Sequence, residues 1–313
     1  MSTSAPFAPS DRTDDDSGGG AAPEPRAPGD DEPAGRDVVV GVDGSEVALG
    51  AVRWAAREAA RRGTGLRIVH AATYLGRKVA AGMPSPELPH ARRIAAQAYT
   101  VARHTEHDLA ATTEVVPAEP IAALMRAAAG SELVVLGSST TGAADEMVLA
   151  PIALRMAARA TRPVVVVPRL RGSIEGRPVV AVLGIGDADD DAAVAEFAAA
   201  AAERAGVGVS ILQTRAPERA LASWADDLET WRERFPSLSV ERSALPGASA
   251  GDVLSAACPS PLLVMSTGQG TLLHRSLDGP HRWLMRHCTS PMALIPQVHR
   301  ADREPREEIV ALG

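Results

Sequence analysis

From Val38 onward the chain alternates between short, almost unbroken apolar runs and longer stretches in which apolar residues return every three or four positions. The runs are Val38-Val39-Val40-Gly41-Val42, Leu66-Arg67-Ile68-Val69-His70, Leu133-Val134-Val135-Leu136 and Val164-Val165-Val166-Val167, with a weaker one at Thr113-Glu114-Val115-Val116. A strand buried on both faces needs such a run, because neither set of alternating side chains meets water. Between the runs, Ser45 is placed to cap a helix that continues to about Arg62 and stops at Gly63, and Ala91, Ile94, Ala98 and Val101 share one face of a second helix. Short helices are predicted near Pro120 and Pro151, since a first helical turn has no use for the N–H that proline lacks. Strands alternating with helices argue for βαβ units, a parallel sheet and an α/β fold.

The order then repeats. Val179-Val180-Ala181-Val182 answers the first strand, and Gly206 to Leu212 answers Gly63 to Val69 at an offset of 143. Leu263-Val264-Met265-Ser266 matches Val134-Val135-Leu136-Gly137 at an offset of 129, Pro280 matches Pro151 at the same offset, and Met292 to Pro296 matches Val164 to Pro168. The expected organisation is a first domain over 37–168, a linker over 169–177 marked by Gly172, Ser173 and Gly176, a divergent second domain over 178–297 and a tail over 298–313. In the second copy Leu221, Trp224, Leu228, Trp231 and Phe235 line one helical face. That face reads first as core, with an aromatic surface for a ligand or partner as the alternative.

Residues 1–36 hold one large apolar side chain, Phe7, among Asp, Gly, Pro, Ser and Ala, too little to offset the entropy of ordering, so a disordered acidic tail is expected. Six Asp, two Glu and three Arg give this tail a net −5 of the chain's −7, which leaves the remainder nearly neutral. Such a charge balance offers no basic surface to a phosphate backbone, and nucleic acid is not an expected partner. The chain has no apolar run of about 18 residues and no basic start leading into an apolar stretch, so neither a membrane span nor a secretory signal is expected and the location expected is cytoplasmic. Cys258 and Cys288 are the only cysteines, too few for a disulfide framework or a thiolate metal site, and both read as small core residues.

The segment Val39-Val40-Gly41-Val42-Asp43-Gly44-Ser45, followed by Ala51 to Ala59 and then Val69-His70-Ala71, resembles the opening of a universal stress protein domain. The resemblance continues through Leu133 to Ser138 and closes at Arg162 to Pro168, so it covers essentially all of 37–168; the second copy joins through strand order, the shared closing segment and the duplication. It implies two tandem doubly wound domains, each a five-stranded parallel sheet in the order 3-2-1-4-5 with helices on both faces, paired through their fifth strands, Val164 to Val167 and Met292 to Ile295. It also implies a ligand site at the switch point between strands one and four. In nucleotide-binding members the Asp after strand one contacts adenine and a loop of pattern G-x2-G-x9-G-[ST] holds the phosphates, its glycines letting backbone N–H groups approach the oxygens.

Here Gly137 fills the first loop position, while Thr140, Ala150 and Pro151 replace the second glycine, the third glycine and the hydroxyl residue. Proline at 151 removes an N–H and a hydroxyl from the phosphate end. In the second copy Ser266, Gln269, Gly279 and Pro280 take these places, and Leu183 is read as standing where Asp43 stood. Asp145 and Glu146 add repulsion, whereas Ser138, Ser139, Thr140 and Thr141 offer hydroxyls. The candidate contacts to an adenine nucleotide are Asp43, Gly137, Thr140 and Gly142, with ATP or AMP as the cofactor to test in the first domain. Asp43 has a purely local alternative, since Asp often caps a turn after a strand.

Asp187, Asp189, Asp190 and Asp191 suit a helix N-terminus better than a cation site, and His104 with His107 suits a solvated helix end better than a metal. No G-x-S-x-G elbow, lysine phosphate loop or Cys/His metal spacing is present. The function expected is therefore a non-enzymatic stress-response binding or regulatory module with degenerate phosphate loops, acting through domain pairing and protein partners. The alternative is an ATP- or AMP-binding switch or slow ATPase that uses the first domain only.

Overall fold

A computed structural model describes residues 37–73, 87–138, 150–169, 174, 176–185, 187–214, 231, 233–267 and 279–297. The first half comprises β1 (Asp37–Gly41), α1 (Glu46–Arg62), β2 (Leu66–Ala71), α2 (Leu88–Thr105), β3 (Ala111–Val116), α3 (Pro120–Ala129), β4 (Ser131–Ser138), α4 (Ala150–Ala157) and β5 (Val164–Pro168). The second comprises β6 (Val179–Leu183), α5 (Ala188–Ala205), β7 (Val209–Gln213), β8 (Val240–Ala244), α6 (Ala250–Ala257), β9 (Leu263–Ser266), α7 (Gly279–His287) and β10 (Met292–Ile295).

All ten strands lie in one sheet, in the order β3-β2-β1-β4-β5-β10-β9-β6-β7-β8. Each half is a parallel set with its first strand between the second and fourth, and the halves meet where β10 runs antiparallel to β5, Met292 opposite Val166 and Leu294 opposite Val164. Successive residues of the apolar runs serve two cores. Val38, Val40, Leu133, Val135, Val165 and Ala293 belong to the core beneath α1, α2 and α5, while Val39, Val134, Leu136, Val166, Met292 and Leu294 belong to the core on the opposite face. That alternation is the pleat expressed in packing, and it explains why the central strands carry no polar side.

The edge strands β3 and β8 are paired on one side only. They expose Thr112, Thr113 and Glu114 in one and Glu241 and Ser243 in the other, a polar composition that suits an unpaired edge. This half-solvated state also accounts for the weak apolar signal of β3.

Helix α1 begins as its sequence dictates: the Ser45 hydroxyl accepts from the Ala48 N–H at 3.2 Å. It ends at Gly63, whose φ of 66° is the left-handed conformation in which a Cβ is disfavoured. Gly206 ends α5 in the same way, which makes the repeat visible at the level of the backbone. Residues Leu221, Trp224 and Leu228 of the aromatic face lie outside the described residues; Phe235 is buried and meets Trp231 edge-on at 6.2 Å between centroids.

Candidate functional site

The strand order of the first half reverses direction at β1, which lies between β2 and β4, and a crevice opens there at the carboxyl ends of the strands. A cavity of about 90 Å³ occupies it, with Gly41, Asp43, His70 and Gly137 on the strand side and Leu124 and Ile152 supplied by α3 and α4. Its lining is mostly apolar. The volume is well below the roughly 300–1,000 Å³ usual for small-molecule sites.

Asp43 lines this cavity, and its carboxylate accepts the Ser45 N–H at 2.9 Å. Asp43 therefore lines the crevice while its carboxylate holds the turn that launches α1. Gly137 has a packing reason of its own. A Cβ built on it falls 2.9 Å from the Val47 carbonyl carbon and oxygen and 3.0 Å from the Ala48 nitrogen, all backbone atoms of α1. The glycine lets β4 lie directly against the first turn of that helix. Thr140 and Gly142, with Ser139, Thr141, Asp145 and Glu146, lie outside the described residues.

His70 is the functional candidate that sequence reasoning passed over. It is 6% exposed, lines the cavity and places Nδ1 2.8 Å from the Val42 carbonyl oxygen. A carbonyl only accepts, so Nδ1 carries the proton of this bond and Nε2 is left for another partner. That Nε2 is buried and has no hydrogen-bond partner among the described residues, which is a costly state for a polar atom. The available signal was a polar residue next to the carboxyl end of β2, directly after the apolar Ile68 and Val69.

The second half keeps the frame and changes these contents. Val39 pairs with Val134 and Val180 with Leu263, so strand register equates Gly184 with Asp43 and Leu183 with Val42. The placing of Leu183 at the Asp43 position is corrected accordingly: Leu183 is a fully buried strand residue opposite Gln213. Gln213 stands where His70 stands, also buried and with Oε1 unpartnered. The Gly184 N–H is received by both oxygens of Asp191 at 2.9 Å. On α7, His281 takes the place of Ile152 and sets Nε2 2.8 Å from the Ser266 carbonyl oxygen.

The other clusters resolve locally. Asp187 and Asp190 cap α5 reciprocally, the Asp190 N–H reaching Asp187 at 2.9 Å, as an acidic helix start predicts. His104 binds the Thr100 carbonyl one turn back in α2. Among the described residues no group of three or more His, Cys, Asp or Glu is arranged to hold a metal, and no helix is long and apolar enough to cross a membrane. The two cysteines are core residues, Cys288 buried and Cys258 half-buried against it, and their sulfurs lie 3.2 Å apart.

Fold and crevice together define a duplicated, doubly wound α/β protein with its ligand end at a strand-order switch point. The model of the universal stress protein family matches residues 35–168. A universal stress protein of Mycobacterium tuberculosis is 30% identical over 292 residues, covering 83% of this chain and 97% of the relative. The chain belongs to the universal stress protein family. A universal stress protein from Archaeoglobus fulgidus shares the fold across both halves, with a TM-score of 0.61 at 13% identity over 83% of this chain and 98% of that one. A structure of the Archaeoglobus fulgidus universal stress protein in complex with dAMP covers 42% of this chain and 96% of its own, at 19% identity and a TM-score of 0.34.

Proposed function

We propose that this protein is a non-enzymatic, cytoplasmic regulatory module whose first half takes an adenine nucleoside or AMP without gripping a phosphate chain. The observation that carries the reading is the contrast between the two ligand ends. One presents Asp43 and an unpartnered His70 Nε2 to a small cavity, while the other holds Gly184, Gln213 and His281. An exocyclic amine or ribose hydroxyl hydrogen-bonded to His70 Nε2 would satisfy that buried atom. Phosphate retention has little support at the first turn of α4, where Pro151 brings neither an N–H nor a hydroxyl. In this reading the two halves act as one body and partners read its occupancy.

A second reading, an ATP-binding switch or slow ATPase in the first half, is favoured by the presence of Asp43 and Gly137 at one crevice. Calorimetry of the full chain with adenosine, AMP, ADP and ATP, paired with an assay for released inorganic phosphate, separates the two. The expected result is that adenosine, AMP, ADP and ATP bind within about tenfold of one another, a span below the contribution of one charge-assisted hydrogen bond, with no phosphate release. ATP binding more than about tenfold tighter than AMP, or turnover, would establish the second reading. Absence of binding by all four at millimolar ligand would remove the nucleoside from the proposal.

A further inference from the structure

Cys258 follows α6 and Cys288 follows α7, so each stands where a helix returns to the sheet, four or five residues before β9 or β10 begins. The helix-closing bonds are alike: the Cys258 N–H reaches Leu254 at 3.0 Å and the Cys288 N–H reaches Leu284 at 2.7 Å. The adjoining segments are also tied, with the Ser260 N–H on the Ser290 hydroxyl at 2.9 Å. Two sulfurs 30 residues apart in the chain are thus brought to 3.2 Å, with Cys288 Sγ also 3.4 Å from the Ser290 carbonyl oxygen.

Packing does not demand sulfur at these places. Strand register equates Leu263 with Val134 and Met292 with Val164, which puts Ala129 and Ala160 of the first half at the positions of Cys258 and Cys288. Ala160 is buried in the same helix-to-strand return, its N–H bonded to Met156 at 2.8 Å. A small apolar residue therefore satisfies the fold. The cysteines belong to one half only, they touch, and they are the chain's entire thiol content.

We propose that Cys258 and Cys288 are a peroxide-oxidised dithiol site that closes reversibly to an intramolecular disulfide. The half-buried sulfur of Cys258 is the one that reagents reach, and the buried Cys288 behind it is the resolving thiol. Cys258 is also the better nucleophile. The Cys288 thiol donates to it, as do the Ser290 side chain and the backbone of Ser290 and Thr289, and these bonds hold the Cys258 thiol well below the ordinary range despite its burial. The same donation, with burial, pushes Cys288 up, so the pair holds one negative charge rather than two.

The chemistry balances with a peroxide as the only co-reactant. The Cys258 thiolate attacks one peroxide oxygen, an S–O bond forms, the O–O bond breaks and the departing oxygen leaves as water after taking a proton. Cys288 then attacks the Cys258 sulfenic sulfur, the S–S bond forms, the S–OH bond breaks and the Cys288 proton leaves with that oxygen as a second water. Two electrons pass from the sulfur pair to the peroxide. The sulfurs must close from 3.2 Å to the roughly 2.05 Å of a disulfide, a movement of about 1 Å.

The test uses the full chain, reduced and then exposed to a small excess of hydrogen peroxide, read by intact mass and by maleimide labelling under denaturing conditions. The expected outcome is loss of both labelled thiols in a monomeric species lighter by two hydrogens, restored by dithiothreitol. With Cys288→Ala, Cys258 should instead accumulate as a dimedone-trapped sulfenic acid; with Cys258→Ala, Cys288 should remain labelled. The double variant, Cys258→Ala with Cys288→Ala, should fold like the parent, because the first half carries alanines there, and should show no peroxide-dependent mass change. Persistence of both thiols in the parent chain, or disulfides found only between chains, would overturn the proposal.

Discussion

Arg204 on α5 donates to the carboxylate of Glu58 on α1 at 3.2 Å, an ion pair that crosses from one half of the duplication to the other. Arg62 reaches the same oxygen from within α1 at 2.7 Å and continues to Glu132 at 3.0 Å. Glu58 is 5% exposed, and Arg62 also stacks over the Phe197 ring of α5, 5.5 Å from its centroid. Burial first, and the Arg62 charge second, lower the Arg204 pKa, with Glu58 opposing both. Removing Glu58 leaves Arg204 without its carboxylate partner and two guanidinium groups facing one another in a largely buried site, with Glu132 still pairing Arg62. Glu58→Ala should therefore cost about 3–5 kcal/mol in urea unfolding. A loss below about 1 kcal/mol would place the network among pairs that contribute little.

Gly137→Ala probes close approach rather than ligand binding. Its new methyl would press on the backbone of Val47 and Ala48, which cannot rotate away as a side-chain tip can. The expected penalty is about 1–3 kcal/mol, measured in the absence of any nucleotide. An unchanged midpoint would assign the glycine to ligand contact alone.

Asp43 separates its two roles by substitution. Asp43→Asn keeps an oxygen for the Ser45 N–H and should hold the fold, whereas Asp43→Ala should lose about 1 kcal/mol with that bond. If the carboxylate also reads a nucleoside, Asp43→Asn should weaken adenosine binding at unchanged stability. Equal adenosine affinity in both variants and the parent would confine Asp43 to the turn.

Cys258 supplies the pH dependence. Its thiol is held down to about 6 from 9.0, chiefly by the Cys288 hydrogen bond and with no charged neighbour among the causes. Iodoacetamide alkylation of Cys258 should accordingly rise through about pH 6, not through pH 8 to 9. The folded value lies below the unfolded one, so this thiol's share of stability is full above pH 9 and is lost as the pH falls through about 6. Cys288, pushed upward, stays protonated in both states only until the pH nears the ordinary value of 9.0; above it the unfolded chain alone loses that proton, which opposes the gain from Cys258. An alkylation midpoint near 8.5 would remove the activated thiolate.

The central strands were legible because burial on both faces leaves no choice but unbroken apolar residues, as in Val164 to Val167. Strand β8 was not placed, since Val240-Glu241-Arg242-Ser243-Ala244 is a half-solvated edge whose period is nearly erased. The helix caps at Ser45, Gly63 and Gly206 could be read because each satisfies a local hydrogen bond or a left-handed turn. The interior of the site was harder. His70 sat inside the quoted motif, yet its unpartnered nitrogen depends on the Val42 carbonyl, supplied by another strand. Leu183 precedes Gly184 as Asp43 precedes Gly44, and only the pairing of β6 with β9 moves the equivalence by one residue. The contact of Cys258 with Cys288 joins two neighbouring helix ends on one face of the sheet, a juxtaposition that no spacing along the chain encodes.

The antiparallel meeting of β5 and β10 has an evolutionary consequence. A symmetric assembly of two copies of one gene product receives every substitution twice, and a change that suits one site is imposed on the other. Fusing the copies into one polypeptide frees each from that constraint. The first half keeps Asp43, His70 and Ile152 around an open crevice; the second carries Gly184, Gln213 and His281 there, and bears Cys258 and Cys288 where its counterpart has alanines. Each half can thus diverge at its own crevice and its own helix ends, and the unlike contents of the two are what a fused pair permits and a symmetric dimer forbids.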